Sequence, residues 1–186
     1  MKLYIKNMVC NRCILVIENL VKDSGFHVIK TELGEVEIME ELNPEQIKLI
    51  ESKLKPLGFN LIGNRKAQII EKIKTSIIKL IHHSEEAPNI NLSAYLTNLV
   101  NYDYNYISNI FSETEGKPIE KFYITQKIEK AKELLVYDEL SLSQIADKLN
   151  YSSVAYLSSQ FKKMTGLTPS HFKKIKEKKR NSLDYL

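Results

Sequence analysis

Apolar residues recur at every third or fourth position over much of the C-terminal two-thirds of the chain, as on one face of an amphipathic helix. Residues 140–172 carry two short helical patterns, whose apolar positions are Leu142, Ile145, Ala146, Leu149, Leu157 and Phe161. Ser141 or Ser143 can cap the first helix, and Asn150 tolerates the left-handed backbone of a tight exit. Ser152 then restarts the chain as a second helix. Two short helices joined by such a turn are typical of a helix-turn-helix.

The same pattern occurs a second time upstream, at a constant distance. Phe111 and Gly116 stand 50 positions before Phe161 and Gly166, and Asn101 supplies the turn residue. An internal repeat of this kind predicts two copies of one structural unit. The predicted helix-turn-helix segments are residues 92–112 and 142–163.

Two longer helical patterns accompany the repeat. Residues 119–137 form one continuous pattern between the two copies, and residues 67–81 form a lead helix with a stripe of isoleucines. These patterns predict an all-α domain over residues 63–186, with the helix at 119–137 as its linker.

Residues 1–62 follow a different pattern, in which short alternating segments enclose two helices. Strands are predicted at 3–5, 26–32, 35–39 and 59–62, and helices at 14–22 and from Asn43 onward. The order βαββαβ is the ferredoxin-like arrangement. The fold class is therefore predicted as α+β, with a ferredoxin-like domain at 1–62 followed by the all-α double helix-turn-helix domain.

The repeat resembles the DNA-binding domain of AraC-type transcription regulators, which carry two helix-turn-helix units on one chain. The family pattern of the second unit runs I-A, a Gly-aromatic-Ser turn, Y-F-S-x-x-F-K-K, T-G-x-T-P and a terminal aromatic residue. This chain has Ile145-Ala146, Asn150-Tyr151-Ser152, Tyr156-Leu157-Ser158, Phe161-Lys162-Lys163, Thr165-Gly166, Thr168-Pro169 and Phe172. Asn150 replaces the usual Gly and Leu157 the usual Phe, and both can serve the same turn and core. The resemblance implies a regulator that binds double-stranded DNA, with residues 119–137 as a rigid spacer.

The resemblance also places DNA contacts on the exposed faces of the two second helices. Base contacts are expected at Asn105, Ser108 and Asn109 in the first unit, and at Val154, Ala155, Ser158 and Ser159 in the second. Phosphate contacts are expected at Lys162, Lys163, Lys173 and Lys174. Because Asn pairs with adenine through two hydrogen bonds, the first unit should supply most of the polar readout. That Asn105 merely helps its helix to start is an open alternative.

Two cysteines three positions apart, Cys10 and Cys13, precede the first predicted helix. A helix N-terminus favours thiolates, and soft thiolates bind Cu(I) and other thiophilic metals. In a ferredoxin-like domain, Met8-Val9-Cys10-Asn11-Arg12-Cys13 resembles the metal-binding loop of the heavy-metal-associated domains of copper chaperones and metal-pumping ATPases. Two cysteines three positions apart at a helix start can point both sulfurs outward, which predicts an exposed loop. The resemblance implies a metal ion at the two cysteines and Met8 packed beneath the loop.

Other roles for the cysteine pair stay open. It can be a redox dithiol, or it can be a relic in a domain that only dimerises or binds another partner. A structural zinc site needs four ligands, and the chain has two cysteines. The adjacent His82 and His83 are expected to be exposed or to cap a helix rather than to complete a site.

The charges divide along the same boundary as the patterns. Residues 1–62 hold eight Lys and Arg and nine Asp and Glu, a net charge of −1, whereas residues 63–186 hold nineteen and fourteen, a net charge of +5. Positive charge in the helix-turn-helix half suits phosphate binding, although the basic residues after 176 can equally form a solvated terminus. No apolar run approaches the roughly 20 residues of a membrane span, and no signal core is evident.

These patterns predict a cytoplasmic transcription regulator without enzymatic activity, since no catalytic motif or phosphate-binding loop is found. In this hypothesis Cu(I) or a similar metal at Cys10 and Cys13 changes DNA affinity or the geometry of a homodimer. The competing hypothesis is a DNA-binding regulator whose N-terminal domain is a metal-free dimerisation or interaction module. A metallochaperone would leave the C-terminal two-thirds of the chain unexplained.

Overall fold

The computed structural model describes residues 1–84 and 91–175. The chain forms two compact units, Met1–Thr75 and Ser76–Leu186, called here the N-terminal and C-terminal units. The division falls within helix α3 (Arg65–His82), later than the predicted boundary after residue 62. The first part of α3 joins the N-terminal unit because the backbone N–H of Asn7 donates to Glu71 Oε1 at 3.0 Å, and Thr75 packs on Gly34.

The N-terminal unit is a four-stranded antiparallel sheet with two further helices. Its elements are β1 (Lys2–Lys6), α1 (Asn11–Asp23), β2 (Val28–Glu32), β3 (Glu35–Ile38), α2 (Pro44–Leu54) and β4 (Asn60–Leu61), with a 3-10 turn at Lys55–Leu57. The strand order is β2-β3-β1-β4, and β1 pairs with both β3 and β4. The predicted order of elements is present, and the ferredoxin-like classification stays an interpretation of it.

Alternation along the strands and helical spacing along α1 and α2 bring the apolar side chains of the N-terminal unit together. The buried members include Leu3, Ile5, Val36, Ile38, Ile17, Val21, Ile50 and Leu54. A capping box between Asn43 and Gln46, with Pro44 in the first turn, starts α2 where the sequence predicts. This core supports the loop that carries the two cysteines.

All regular elements in the described part of the C-terminal unit are helices. After the end of α3, it contains α4 (Leu92–Val100), α5 (Tyr104–Glu115), α6 (Ile119–Tyr137), α7 (Leu142–Lys148), α8 (Val154–Thr165) and α9 (Pro169–Ile175). The linker helix α6 has the predicted bounds. No helix within residues 1–84 and 91–175 is both long and apolar enough to cross a membrane.

Helix α6 is buried on more than one side, because helices from both repeats pack against it. Its residues Ile128, Ala131 and Leu135 form one cluster with residues of α7, α8 and α9. On another side, His82 at the end of α3 lies with its Nε2 3.0 Å from Oε1 of Gln126. The side chain of His82 is 3% exposed, so the expectation that it is exposed or caps a helix is wrong.

Candidate nucleic-acid interface and cysteine pair

The second helix of each helix-turn-helix begins at a side-chain cap. The carboxylate of Asp103 accepts from the N–H of Asn105 at 2.8 Å at the start of α5. The hydroxyl of Ser153 accepts from the N–H of Tyr156 at 3.0 Å at the start of α8. The second cap is therefore one residue later than the predicted restart at Ser152. These caps satisfy backbone donors that a helix start leaves unpaired.

The turn before each of these helices contains an asparagine in the left-handed region. Asn101 has φ 55° and Asn150 has φ 52°, which confirms the conformation predicted for Asn150. The offset between the two asparagines is 49 positions, whereas that between the caps Asp103 and Ser153 is 50. The second turn is therefore one residue longer than the first.

Matched cores hold α5 and α8 in place. The buried face of α5 presents Ile107, Ile110 and Phe111, and that of α8 presents Leu157 and Phe161. The rings of Phe111 and Phe122 lie 5.8 Å apart between centroids, and those of Phe161 and Phe172 lie 5.5 Å apart. Both pairs are related by the offset of 50, so each copy closes its core with the same aromatic contact.

The predicted base-contacting residues lie on the opposite faces of α5 and α8. The exposed members are Asn105, Asn109, Val154, Ala155 and Ser159, and the half-buried members are Ser108 and Ser158. The cap of α5 is the Asp103 side chain, to which Asn105 contributes its backbone N–H. The structure thus brings each set together on one helix.

Two exposed tyrosines, which the sequence pattern did not single out as candidate DNA contacts, also lie on these faces. Tyr106 is 40% exposed and Tyr156 is 53% exposed. They are 50 positions apart, and each ring contacts a tyrosine of the preceding turn: Tyr102 at 5.2 Å and Tyr151 at 5.8 Å between centroids. Combining the repeat offset with helical spacing would have identified both, since Tyr106 lies three residues before Asn109.

The predicted phosphate contacts lie at the ends of two helices. Lys162 and Lys163 are exposed in the last turn of α8, and Lys173 and Lys174 are exposed in α9. Lys173 forms an ion pair with Asp138, at the end of α6. The basic residues after position 176, which were expected either to bind phosphate or to form a solvated terminus, lie outside the described residues.

The cysteine pair lies at the start of α1, which begins earlier than predicted. Helix α1 starts at Asn11, so Cys10 is its N-cap residue and Cys13 lies in its first turn. The two sulfurs are 3.3 Å apart. Cys13 is 8% exposed and Met8 is fully buried. The expectation that both sulfurs point outward is therefore wrong for Cys13, whereas Met8 packs beneath the loop as expected.

The two thiols have different acidities because of their surroundings. Burial acts to raise the pKa of Cys10, but hydrogen bonds from the Cys13 N–H and thiol and from Arg12 outweigh it, and the pKa lies below its ordinary value. Burial raises the pKa of Cys13, and the neighbouring sulfur adds to this effect. Within residues 1–84 and 91–175, no group of three or more His, Cys, Asp or Glu is arranged to hold a metal ion. The protein ligands available at this loop are therefore two sulfurs.

Comparison with known proteins finds similarity over the helix-turn-helix repeat. A family model described as a helix-turn-helix domain matches residues 96–175. The chain is 28% identical over 160 residues to YtdP, an uncharacterised HTH-type transcriptional regulator of Bacillus subtilis, covering 81% of this chain and 20% of that protein. It is 34% identical over 65 residues to the xylose operon regulatory protein of Escherichia coli, covering 35% of this chain and 17% of that protein. The chain thus spans a small part of these relatives.

A solved structure shows the same fold. The C-terminal domain of AraT, a response regulator from Geobacillus stearothermophilus, superposes with a TM-score of 0.52 at 23% identity, covering 64% of this chain and 92% of that one. The covered part of the chain therefore has the fold of that domain, and the helix-turn-helix repeat that the sequence predicts is present. Both relatives named here are regulators, a transcriptional regulator and an operon regulatory protein.

Proposed function

We propose that this protein is a transcription regulator that binds double-stranded DNA sequence-specifically through α5 and α8. The observation that carries the proposal is the repeat itself. Two matched cores hold α5 and α8, whose positions are related by an offset of 50 residues. Each helix begins at a side-chain cap, and the proposed base-contacting residues on its exposed face are polar or small. In a helix-turn-helix, the second helix enters the major groove with such a face toward the bases.

In this proposal α5 and α8 make different kinds of contact with the bases. Asn109 is exposed in the middle of α5, and a side-chain amide can form two hydrogen bonds with adenine. The corresponding face of α8 carries Val154 and Ala155, whose methyl groups can contact thymine methyls, and Ser159. The first helix-turn-helix supplies most of the polar readout in this proposal.

The second helix-turn-helix supplies more of the phosphate binding. Lys162 and Lys163 are exposed where α8 ends, so they can reach the DNA backbone beside the groove. Helix α6 separates the two reading helices as one rigid element of 19 residues. With this spacer, the two units are proposed to read major-groove segments about one DNA turn apart, roughly 34 Å.

Selection from a randomised duplex library tests the proposal directly. The full chain is expected to enrich a site with two short conserved blocks about 10 base pairs apart. The double variant Asn105→Ala/Asn109→Ala should lose the preference in one block and keep it in the other. A Lys48→Ala/Lys55→Ala variant, changed at exposed positions of the N-terminal unit, is the control. No enrichment by the parent protein, or the same loss in the control, would count against DNA reading by α5.

We further propose that the N-terminal unit is a ferredoxin-like, heavy-metal-associated-type domain in which Cys10 and Cys13 hold Cu(I) or another thiophilic metal. The residues fit such an ion. Their sulfurs are 3.3 Å apart, and two metal–sulfur bonds of about 2.3 Å span up to about 4.6 Å. The lowered pKa of Cys10 favours the thiolate that metal binding requires.

Anaerobic titration with Cu(I) against a competing chelator tests the metal proposal. One ion per chain is expected, with affinity falling at acidic pH because the thiolates must be deprotonated. Cys10→Ser and Cys13→Ser should each abolish stable binding, and far-UV circular dichroism should show that each variant stays folded. DNA affinity is then measured with and without the ion. Equal Cu(I) binding by the double serine variant would refute a metal site at this loop.

The competing proposal, a metal-free dimerisation or interaction module, makes a different prediction for the same samples. Sedimentation of the full chain should then show the same oligomeric state and DNA affinity with and without Cu(I). Serine substitution at both cysteines should change neither quantity. A metal-dependent change in either one favours the sensor.

A further inference from the structure

Lys127 is a buried cation on the linker helix α6. It is 8% exposed, and its Nζ donates to the backbone carbonyl of Asn150 at 3.3 Å. The same Nζ lies 5.0 Å from the ring centroid of Tyr123 and 4.6 Å from that of Tyr151. Two aromatic faces and one carbonyl therefore surround the ammonium, and all three attract a positive charge.

The contacts of Lys127 connect linker helix α6 to α8, the helix of the second unit that is proposed to contact bases. Asn150 and Tyr151 form the turn between α7 and α8, and Asn150 is in the left-handed conformation with φ 52°. The hydroxyl of Tyr151 donates to Oε1 of Gln160 at 2.6 Å. Its ring also packs edge-on against that of Tyr156 at 5.8 Å. Gln160 and Tyr156 both belong to α8.

The first helix-turn-helix is built differently at the position that matches Gln160. The residue 50 positions before Gln160 is Ile110, which is buried. The Ile110 side chain can neither donate nor accept a hydrogen bond. This position is therefore apolar in the first copy, whereas in the second it belongs to the polar contacts that begin at Lys127.

We infer that Lys127 is a positioning residue for DNA reading: its ammonium holds the Asn150–Tyr151 turn and, through Tyr151, sets the orientation of α8. The inference rests on the proposed DNA binding and deepens it. The hydrogen bond and the two cation–π contacts of Lys127 join it to Asn150, Tyr123 and Tyr151, none of which is a proposed base-contacting residue. Its loss should therefore change which bases the second unit prefers while leaving the first unit unaffected.

The surroundings of Lys127 also make the contact sensitive to pH. Burial lowers the pKa of Lys127 to about 8 and raises the pKa values of Tyr123 and Tyr151, so both rings stay neutral where the lysine titrates. Tyr156 of α8 lies behind the Tyr151 ring. The other charged side chains of this part of α6 form the ion pairs Lys132–Glu129 at 2.7 Å and Lys130–Glu133 at 3.1 Å.

The cation–π contacts are therefore present at neutral pH and lost as the pH rises through about 8. Lys127→Arg keeps a cation that stays charged over this range, and Lys127→Met keeps a long apolar side chain without charge. These two variants separate the role of the charge from that of packing.

Base preference is measured at pH 7 for the parent chain and both variants, with single-base substitutions across the selected site. Lys127→Met should lose about tenfold in discrimination in the block read by α8, the size expected for one buried cation–π contact. The block read by α5 should be unchanged, and Lys127→Arg should retain both. An equal loss in both blocks, or no loss in the α8 block, would overturn the inference.

A second measurement uses the protein without DNA, so it tests the contact between Lys127 and the Asn150–Tyr151 turn even if the parent chain binds no duplex. Backbone amide resonances of Tyr151 and Ser152 are followed from pH 6.5 to 9.5, and circular dichroism confirms that each variant is folded. The parent resonances should shift with a midpoint near about 8, those of Lys127→Arg should not, and those of Lys127→Met should be displaced at every pH. Flat resonances in the parent, or the same titration in Lys127→Met, would contradict the inference. A normal titration without DNA binding would refute the proposed function, and with it the role in DNA reading, but would keep the contact by which Lys127 holds the Asn150–Tyr151 turn.

Discussion

The two helix-turn-helix copies share their turns, caps and buried cores but differ at exposed positions. Both use an asparagine turn, a side-chain cap and a phenylalanine pair, and both end their second helix with a glycine in the left-handed region, Gly116 or Gly166. At exposed positions the copies diverge. Ser112 and Glu113 of α5 occupy the places of Lys162 and Lys163 in α8.

This difference shows which positions specify fold and which specify chemistry. Buried positions of the two copies keep the same kinds of side chain because they must fill the same space beside α6. Exposed positions are under no such constraint, so one copy can offer amides and the other ammonium groups. The copies are therefore expected to respond alike to core changes and differently to surface changes.

The largest effect is expected from the core phenylalanines, where the copies should behave alike. Phe111 and Phe161 are both fully buried. Phe111→Ala and Phe161→Ala should each lower the free energy of unfolding by about 3–5 kcal/mol, because each leaves a cavity at the centre of its copy. Urea unfolding followed by circular dichroism measures both. A cost below about 1 kcal/mol for one variant would mean that the core of that copy does not depend on its phenylalanine.

The next effect concerns the lysines of α8, where the copies should differ. Lys162→Ala/Lys163→Ala should weaken DNA binding on the order of 50-fold at 0.1 M salt. The same change should reduce the log–log salt slope by about 1.8, since about 0.9 is contributed per neutralised phosphate. Anisotropy titrations over a salt series measure both quantities. All sequences should be affected alike.

A transplant in the other copy provides the matched test. Ser112→Lys/Glu113→Lys places the same charges at the end of α5 and should strengthen binding and steepen the slope. If the α8 variant changes sequence preference instead of the slope, the lysines contact bases and the assignment to phosphate is wrong.

Amide readout should distinguish the copies in the opposite direction. Asn109→Ala should cost about 1–3 kcal/mol of binding free energy on the preferred site and relax the preference at one base pair. Ser159→Ala, 50 positions later, should cost less because one hydroxyl replaces the two-bond amide contact. Competition against single-base variants of the site measures both. Equal costs would show that the reading is shared rather than divided.

The smallest effect is expected at the two turns. Asn101→Ala and Asn150→Ala should each cost about 1 kcal/mol of stability, because an ordinary side chain is disfavoured in the left-handed region. Asn101→Gly and Asn150→Gly should cost little or nothing. Thermal unfolding of the four variants measures this. A similar cost for the Gly and Ala variants would mean that each turn requires the asparagine side chain itself, and not only a residue that tolerates the left-handed backbone conformation.

Local patterns in the sequence account for most of the element boundaries. Linker helix α6 appears at its predicted bounds, and α3 and both helix-turn-helix segments lie where the apolar spacing places them. The start of α1 was missed by three residues because its first turn has no acidic residue or side-chain cap to mark it. Cys13 therefore lies inside a helix and is buried, where the sequence suggested an exposed loop.

The sequence alone determined the repeat, since an offset of 50 between residues of the same type, Phe111 and Phe161 or Gly116 and Gly166, is visible in the chain itself. It also identified Asn101 and Asn150 as turn residues, and Cys10 and Cys13 as candidate metal ligands. The neighbours of His82 and Lys127 were decided only by the tertiary structure. Tyr123 lies one helical turn from Lys127 on α6, but Tyr151 comes 24 residues later and meets it only because α7 and α8 fold back onto α6. Helical periodicity describes which residues share a face, whereas the partner of that face depends on packing between elements distant in the chain.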